Sequence, residues 1–287
     1  MSNEVADATI RVPSVLVAEH AAAWFETWSS VRDARSLHVI LPSDARLDPA
    51  GQSWLSAGIA GRAARGKPTS MAYDPSSPAA RELHDLDFFH VLGVELMPVF
   101  ERPFPEATAV KLRRIETEKI ATELARETAD CLADRFARFP SSRRRAAAFL
   151  FEELGVNIVQ HSGAPRTGFG LARGFASEHR LQLSFCDAGV GFLASAQRHP
   201  EFAGRLTDEG AVLSLALEKG VSFSNSTANS GFGLSLLRRL SDELDAHIWL
   251  ASGNALLHRW SLGGKRVTVV TQTAGWRGAW VCLDATF

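Results

Sequence analysis

The sequence predicts an α/β fold in two domains, and three observations lead to this prediction. Strand-like and helix-like segments alternate over the first third of the chain, as in a small α/β unit. Prolines then interrupt the chain between residues 98 and 105. The remainder combines helical and strand-like segments, which predicts a second α/β domain. We therefore expect domains at 1–100 and 141–287, joined by a helical connector at 101–140.

The first domain is predicted from two strand–helix pairs. Residues 36–42 (SLHVILP) form a buried strand, and an amphipathic helix follows around residues 54–65. Residues 68–73 form the second strand. The segment Ser76–Pro78 caps a helix that begins immediately after it, because serine at the cap and proline in the first turn both favour a helix start.

The second part of the chain begins with a predicted long helix over residues 106–138, whose apolar positions roughly keep helical spacing. Pro140 ends it, and Ser141 and Ser142 can cap the next helix, at 143–160. The other predicted elements are strands at 168–173 and 181–186, helices at 209–218 and 234–240, and strands at 246–251, 266–272 and 279–285.

Composition narrows the functional classes. With 46% hydrophobic and 22% charged residues, the chain has the balance of a soluble globular protein. The formal net charge of −1 provides no general attraction to nucleic acid or to an acidic membrane. Three widely spaced cysteines without a CxxC motif argue against a disulfide framework or a zinc site. The acidic N-terminus and the lack of a long apolar run predict a cytoplasmic protein.

A polar stripe lies on the predicted helix at 143–160. Glu153, Asn157 and His161 are spaced i, i+4 and i+8, so the three side chains share one side of the helix. An asparagine in mid-helix is mildly unfavourable, because its side chain competes for backbone hydrogen bonds. A solvated polar face is the simpler interpretation of this stripe taken alone.

A second motif follows the predicted strand at 181–186. Asp187 stands at the strand end and is followed by Gly189 and Gly191. An acid followed by Gly-x-Gly lets the backbone approach a flat ligand while the carboxylate accepts a hydrogen bond. An ordinary tight turn explains the same residues equally well.

A third motif opens the predicted helix at 234–240. Gly231 and Gly233 precede Leu234, and free N–H groups at a helix start suit a phosphate. A plain glycine-rich loop is the alternative. The segment is not a Walker A loop, because no Gly-Lys-Ser/Thr follows, and it lacks the dinucleotide-binding Gly-x-Gly-x-x-Gly fingerprint.

Taken together, ExxxNxxxH on a helix, DxGxG after a strand, a polar segment and GxGL at a helix start resemble the N, G1 and G2 boxes of the GHKL ATP-binding superfamily. This superfamily includes gyrase-type topoisomerases, histidine kinases, MutL and the anti-sigma-factor kinases. The resemblance covers roughly residues 125–287. It implies a Bergerat-type α/β sandwich, in which helices cover a mixed sheet, and this domain would bind ATP and Mg²⁺.

The resemblance also implies a role for each motif residue. Asn157 would supply an oxygen ligand to Mg²⁺, and Glu153 would orient or deprotonate the attacking water or hydroxyl. Asp187 would accept a hydrogen bond from the adenine amino group. The other nucleotide contacts would come from Gly189, Gly191, Gly231, Gly233 and Leu234. Residues 219–231 would form a mobile lid over the triphosphate.

Two departures from the family pattern are visible. A threonine commonly stands near the start of the last strand, close to the adenine-binding acid, and Ala279 occupies that position here. The lid has Lys219 as its only basic residue. We therefore expect one adenine contact to be missing, weak anchoring of the phosphates and slow hydrolysis.

Residues 36–96 resemble a STAS domain of the anti-sigma-factor-antagonist type. The segments that carry the resemblance are HVILPSDARLDPAGQSWL, the turn at residues 65–67 and RELHDLDFFHVLG. The family's phosphate-accepting serine follows an aspartate, and here that pair is Asp48-Pro49, which lacks the hydroxyl. Ser53 is not an obvious substitute. A generic α/β docking unit is the alternative, and either interpretation predicts a scaffold or partner-binding module.

The expected function is therefore that of an ATP- and magnesium-binding regulatory protein, either a protein serine/threonine kinase or a slow ATPase acting on a partner protein. A non-catalytic nucleotide sensor that controls partner binding is the alternative, and a structural protein without nucleotide is a third. A homodimer through the helix at 106–138 is a further prediction, based on the length and pattern of that helix.

Overall fold

The computed structural model describes residues 6–94, 108–135, 140–175, 178–218, 221 and 232–286. Within these ranges the chain is a mixed α/β protein, with one parallel three-stranded sheet, one antiparallel five-stranded sheet and a short two-stranded ladder. Every neighbouring pair in the five-stranded sheet is antiparallel, so the mixed sheet expected for the second domain is wrong for the described strands. Helices lie between the two larger sheets and on the far face of the five-stranded one. Among the described residues, no helix combines the length and the apolar character needed to span a membrane.

The N-terminal segment, residues 6–94, forms the three-stranded sheet and its helices. Its strands are β1 (Ala8–Arg11), β2 (Val15–Leu16), β3 (Leu37–Ile40), β4 (Arg46–Leu47) and β5 (Thr69–Ala72). Its helices are α1 (Ala21–Val31), α2 (Pro49–Ala63), α3 (Pro78–Asp85) and α4 (Phe88–Leu92). The sheet order is β1-β3-β5, with every pair parallel, so the chain alternates strand and helix as predicted.

Helix starts in this segment follow from local capping. The Ser77 hydroxyl accepts a hydrogen bond from the Ala80 N–H at 3.1 Å, and Pro78 occupies the first turn of α3, so the predicted cap is confirmed. Helix α2 begins at Pro49, earlier than the predicted start near residue 54. The cause is Asp48, whose carboxylate accepts a hydrogen bond from the Gly51 N–H at 2.9 Å.

The C-terminal segment, residues 108–286, forms the five-stranded sheet in the order β6-β7-β8-β10-β9. The strands are β6 (Thr108–Arg114), β7 (Phe169–Phe175), β8 (Arg180–Cys186), β9 (His247–Leu262) and β10 (Lys265–Thr286). The helices are α5 (Glu118–Arg135), α6 (Ser141–His161), α7 (Gly191–Arg198), α8 (Glu209–Ala216) and α9 (Phe232–Leu244). The predicted strands at 168–173 and 181–186 and the helix at 209–218 are confirmed.

The single helix predicted at 106–138 is wrong, and so is the helical connector at 101–140. Its first described part is strand β6, which pairs with β7, and only α5 is helical. The register of β6 shifts between Val110 and Arg113, and this bulge turns the buried side chains of Val110 and Leu112 towards opposite faces of the sheet. The bulge breaks the two-residue alternation of a strand, so the spacing of the apolar residues resembles the spacing found in a helix. The homodimer stays a prediction, without the long helix that suggested it.

Two further expectations are corrected. Helix α6 begins at Ser141 without a side-chain cap, so Ser141 and Ser142 do not play the predicted role. The three predicted strands of the tail are two long strands, β9 and β10, joined at Gly263 and Gly264. Irregularities in β10 contain Gly275 and Gly278, whose positive φ angles look like turn signals in the sequence.

The five-stranded sheet separates two cores. Helices α5, α6 and α9 cover one face, and α1 and α2 of the N-terminal segment cover the other. Strand β8 shows the division, because Leu183 and Phe185 face the first core while Ser184 and Cys186 face the second. The loop after β8 therefore emerges where the two halves of the molecule meet.

Candidate functional site

Helix α6 carries the first predicted motif beside its buried stripe. Leu150, Leu154 and Ile158 are buried against the sheet, and Glu153, Asn157 and His161 are half-buried. Burial raises the pKa of the Glu153 carboxyl, and the neighbouring charge of Glu152 raises it further. Burial lowers the pKa of the His161 imidazole, which favours its neutral form.

Asp187 lies at the end of β8 and is almost completely buried, with 4% of its surface exposed. Its Oδ1 accepts a hydrogen bond from the Gly189 N–H at 2.8 Å. Burial raises the pKa of this carboxyl to about 6, although the backbone hydrogen bonds from Gly189 and Ala279 act in the opposite direction. Following the alternation of β8, it points to the same side as Phe185, which contacts Phe151 of α6.

The turn after β8 packs on the C-terminal end of α6. The Val190 N–H donates to the Ser162 carbonyl at 2.8 Å, and the Ala188 N–H donates to Thr167 Oγ1 at 3.3 Å. Asn157 precedes Ser162 by five residues, which is about 7.5 Å along a helix axis. The structure thus brings Asp187 and the last turns of α6 together on one side of the sheet.

Packing within the protein explains the two glycines of this turn. A Cβ atom at Gly189 would lie 2.0 Å from the Ser162 carbonyl oxygen, and one at Gly191 would lie 2.4 Å from Ser252 Oγ. Gly191 also has a φ of +79°. Both positions therefore require glycine whether or not a ligand is bound, so these glycines do not by themselves indicate a nucleotide.

Strand β10 supports Asp187 from the other side through Ala279 and through two residues that the sequence analysis did not identify, Trp276 and Gly278. The Trp276 indole N–H donates to the Asp187 carbonyl at 3.0 Å. A Cβ atom at Gly278 would lie 2.1 Å from that carbonyl oxygen. The Asp187 N–H donates to the Ala279 carbonyl at 2.9 Å, so Ala279 lies beside Asp187 with a methyl group where a hydroxyl was expected. The run GWRGAW, with two glycines between tryptophans, is the sequence signal of this support.

The third motif is only partly described. Helix α9 begins at Phe232, two residues earlier than predicted, so Gly233 lies within its first turn together with Leu234 and not before it. Leu234 is half-buried against the core formed with α6. Gly231, Lys219 and all of the lid predicted at 219–231 except Val221 lie outside the described residues.

In the N-terminal segment, the positions compared above with the acceptor of a STAS domain, Pro49 and Ser53, lie on the end of α2 that faces the five-stranded sheet. Pro49 and Ser53 are buried. The Asp48 carboxylate accepts a hydrogen bond from Gln182 Nε2 at 2.7 Å, and the Ser53 and Ser184 hydroxyls are hydrogen-bonded at 2.8 Å. This end of α2 is therefore part of the contact with β8.

The structure contains a cavity of about 270 Å³ on the other side of the turn after β8. It is lined by Arg32, Gly189, Val190, Gly253, Asn254, Ala274, Gly275, Trp276, Arg277 and Gly278. Glu153, Asn157 and Asp187 are not among these residues. In the described part of the chain, no group of three or more His, Cys, Asp or Glu side chains is arranged to hold a metal ion.

The comparisons with known proteins do not assign this chain to a family. The chain matches no protein-family model, and the search of curated proteins gave no significant match.

Proposed function

We propose that the C-terminal segment binds Mg-ATP between the last turns of α6 and the turn after β8. The observation that carries this proposal is the buried Asp187 carboxyl, held beside the helix on which Glu153 and Asn157 lie. In this arrangement the Bergerat-type domain follows a STAS-like one, and the protein regulates a partner protein through ATP.

The state of Asp187 supports adenine as its ligand. A buried carboxylate with a pKa near 6 is poorly solvated, and a donor group that reaches it would stabilise its ionised form. The exocyclic amino group of adenine is such a donor, whereas guanine has a carbonyl at the corresponding position. Ala279 supplies no second hydrogen bond, which is consistent with modest affinity.

The residues of α6 fit the phosphate end of the nucleotide. The Asn157 side-chain oxygen is a suitable ligand for Mg²⁺, which takes its other oxygen ligands from phosphates and water. The bound ion would neutralise charge on the phosphates. Glu153 lies one turn earlier on the helix, and its raised pKa strengthens it as a base towards water or a hydroxyl group.

Two outcomes for the bound nucleotide remain in competition. We favour phosphoryl transfer to a serine or threonine of a partner, or slow hydrolysis, because Glu153 is half-buried and basic. The alternative is a nucleotide sensor, in which ATP changes partner binding through its different affinity for two conformations.

Thermal unfolding with and without Mg-ATP tests binding. At a nucleotide concentration about 100 times Kd, the stabilisation should be roughly 2.7 kcal/mol. Asn157→Ala should remove most of the magnesium-dependent part. Gln160→Ala, three residues further on the same helix and bonded to Glu118, is the control and should keep the full shift. If Mg-ATP leaves the wild-type transition unchanged, the nucleotide proposal fails.

Transfer of labelled phosphate separates the kinase from the sensor. Glu153→Gln should lose transfer or hydrolysis and still be stabilised by Mg-ATP. Glu152→Gln is a matched control, since this neighbouring carboxylate accepts a hydrogen bond from Thr122 at 2.7 Å and points towards α5. Equal and negligible turnover in all three proteins, with binding intact, would favour the sensor.

A further inference from the structure

Cationic side chains gather around the cavity between the N-terminal segment and β10. Arg32, at the end of α1, and Arg277, on β10, both line this cavity of about 270 Å³. Arg65, just beyond α2, lies close enough to interact electrostatically with both of them. The three side chains come from separate parts of the chain and lie close together, two of them in the wall of the cavity.

A single carboxylate, that of Asp33, forms ion pairs with two of these arginines and with a nearby lysine. It lies 3.5 Å from Arg277, 3.6 Å from Arg32 and 3.7 Å from Lys67. Arg32 also donates to the Gly275 carbonyl at 2.8 Å, while its Nε, the atom nearest to Asp33, is too far from that carboxylate for a hydrogen bond. Positive charge is therefore only partly neutralised at this place.

Two carboxylates beside the cavity, those of Glu26 and Glu209, reduce this excess of positive charge but do not cancel it. Arg62 is completely buried and donates to backbone carbonyls that include those of Arg32 and Ala34, so its charge is used within the fold. Glu26 accepts a hydrogen bond from the Ala274 N–H at 2.8 Å. Glu209 approaches Gly253 from the side of α8. Burial lowers the pKa of Arg65, and the positive charge of Arg277 lowers it further, which indicates like charges held close together.

We propose that this cavity, beside the arginines at positions 32, 65 and 277, is a binding site for a small phosphate-bearing anion, distinct from the proposed ATP site. Planar guanidinium groups suit the oxygens of a phosphate, which they can bind through two parallel hydrogen bonds. The cavity volume fits a compact ligand such as a diphosphate or a small phosphorylated metabolite. The ligand would also contact Gly189 and Val190, the outer side of the turn that holds Asp187.

Calorimetric titration of the full chain with inorganic pyrophosphate tests this site. EDTA is present to chelate magnesium, because this suppresses metal-dependent binding of pyrophosphate at the proposed ATP site. Wild-type protein should bind, and the affinity should fall as sodium chloride is raised from about 50 mM to about 500 mM. Arg277→Glu should weaken binding by roughly tenfold or more. Arg65→Ala, which removes one of the three positive charges, should also weaken binding.

Arg113→Glu is the matched control, because Arg113 and Arg277 are similarly exposed, at 47% and 45%, and each lies near one carboxylate. This variant should bind pyrophosphate as wild type does. Asn157→Ala should also keep pyrophosphate binding, while Arg277→Glu should keep its stabilisation by Mg-ATP. The proposal of the anion site and the proposal of the ATP site can therefore be refuted independently of each other.

Three results would overturn the proposal. One is the absence of binding to wild-type protein at about 10 mM pyrophosphate, a concentration that would reveal even millimolar affinity. The second is equal weakening by Arg277→Glu and Arg113→Glu. The third is loss of binding in Asn157→Ala but not in Arg277→Glu, which would place the anion at the nucleotide site.

Discussion

Lowering the pH should weaken ATP binding through protonation of Asp187. Burial raises the pKa of this carboxyl to about 6 in the free protein. The ionised carboxylate is a much stronger acceptor for the adenine amino group than the protonated carboxyl, so the deprotonated protein is the main binding form. Bound adenine would in turn lower the pKa of Asp187, and the affinity is therefore constant well above pH 6 and decreases below it.

The size of the effect follows from the fraction of competent protein. The apparent Kd equals the intrinsic Kd divided by that fraction, which is about 0.9 at pH 7 and about 0.09 at pH 5 for a pKa near 6. The apparent Kd should therefore rise about tenfold between these two values. A carboxyl with the ordinary pKa of 3.8 would change the Kd by less than about 10% over the same range.

Calorimetric titration with Mg-ATP at several pH values measures this dependence. The phosphates of ATP also titrate, so the same series with Asp187→Asn gives the part that does not come from the carboxyl. The difference between the two proteins should be about tenfold from pH 7 to pH 5. If the two series run parallel, Asp187 does not contact the base, and the assignment of its role is wrong.

The remaining predictions concern stability, measured by urea unfolding. Gly278→Ala should destabilise the protein by about 3 kcal/mol or more, because φ is +104° and the new Cβ would meet the Asp187 carbonyl oxygen. Gly204→Ala, also at positive φ but with open space around it, isolates the conformational part and should cost about 1–2 kcal/mol. Arg62→Met should cost about 3 kcal/mol or more, because buried carbonyl groups would lose their donors. Burial raises the pKa of the Asp284 carboxyl to about 6, so the folded protein favours its protonated form. The stabilisation that results is fully present below pH 3.8 and is lost as the pH rises through 6. Between pH 5 and pH 7.5, wild type should therefore lose about 1–2 kcal/mol more stability than Asp284→Asn does. Two results would contradict these expectations. One is an equal decrease in the free energy of unfolding in Gly278→Ala and Gly204→Ala, and the other is an equal pH dependence of that free energy in wild type and Asp284→Asn.

Elements with an undisturbed period or a local cap could be predicted from the sequence. The strand at 181–186 is an unbroken run of buried residues on both faces, and α3 has its cap and its proline in adjacent positions. Strand β6 could not be predicted in the same way, since a bulge disturbs its period and its partner β7 lies more than fifty residues further along the chain. Pairing of this kind is decided by tertiary contacts and not by local propensity.

The candidate site, too, could be predicted only where local sequence decides the structure. The spacing of Glu153 and Asn157 fixes their common side of α6 without any knowledge of the rest of the molecule. Asp187 was identified from its position at a strand end, but the reason for the glycines beside it was not visible. That reason lies in Ser162, which precedes Gly189 by two strands, and in Ser252, about sixty residues after Gly191. A glycine kept free for a ligand and a glycine pressed against a neighbouring backbone look alike in a sequence.

The N-terminal segment shares a core with the sheet that carries the candidate site, which bears on how a signal could reach that site. Trp54 of α2 contacts Trp280 of β10 at 4.7 Å between ring centroids, and Phe25 of α1 contacts Trp276 at 5.4 Å. Separating the two segments would expose these large aromatic side chains, so a permanent contact is favoured over reversible docking. The Trp276 indole in turn holds the Asp187 carbonyl. A displacement of α1 by a ligand or partner therefore has a path of two contacts to the proposed adenine-binding residue, and by reciprocity a bound nucleotide would alter the affinity of the N-terminal segment for that ligand or partner.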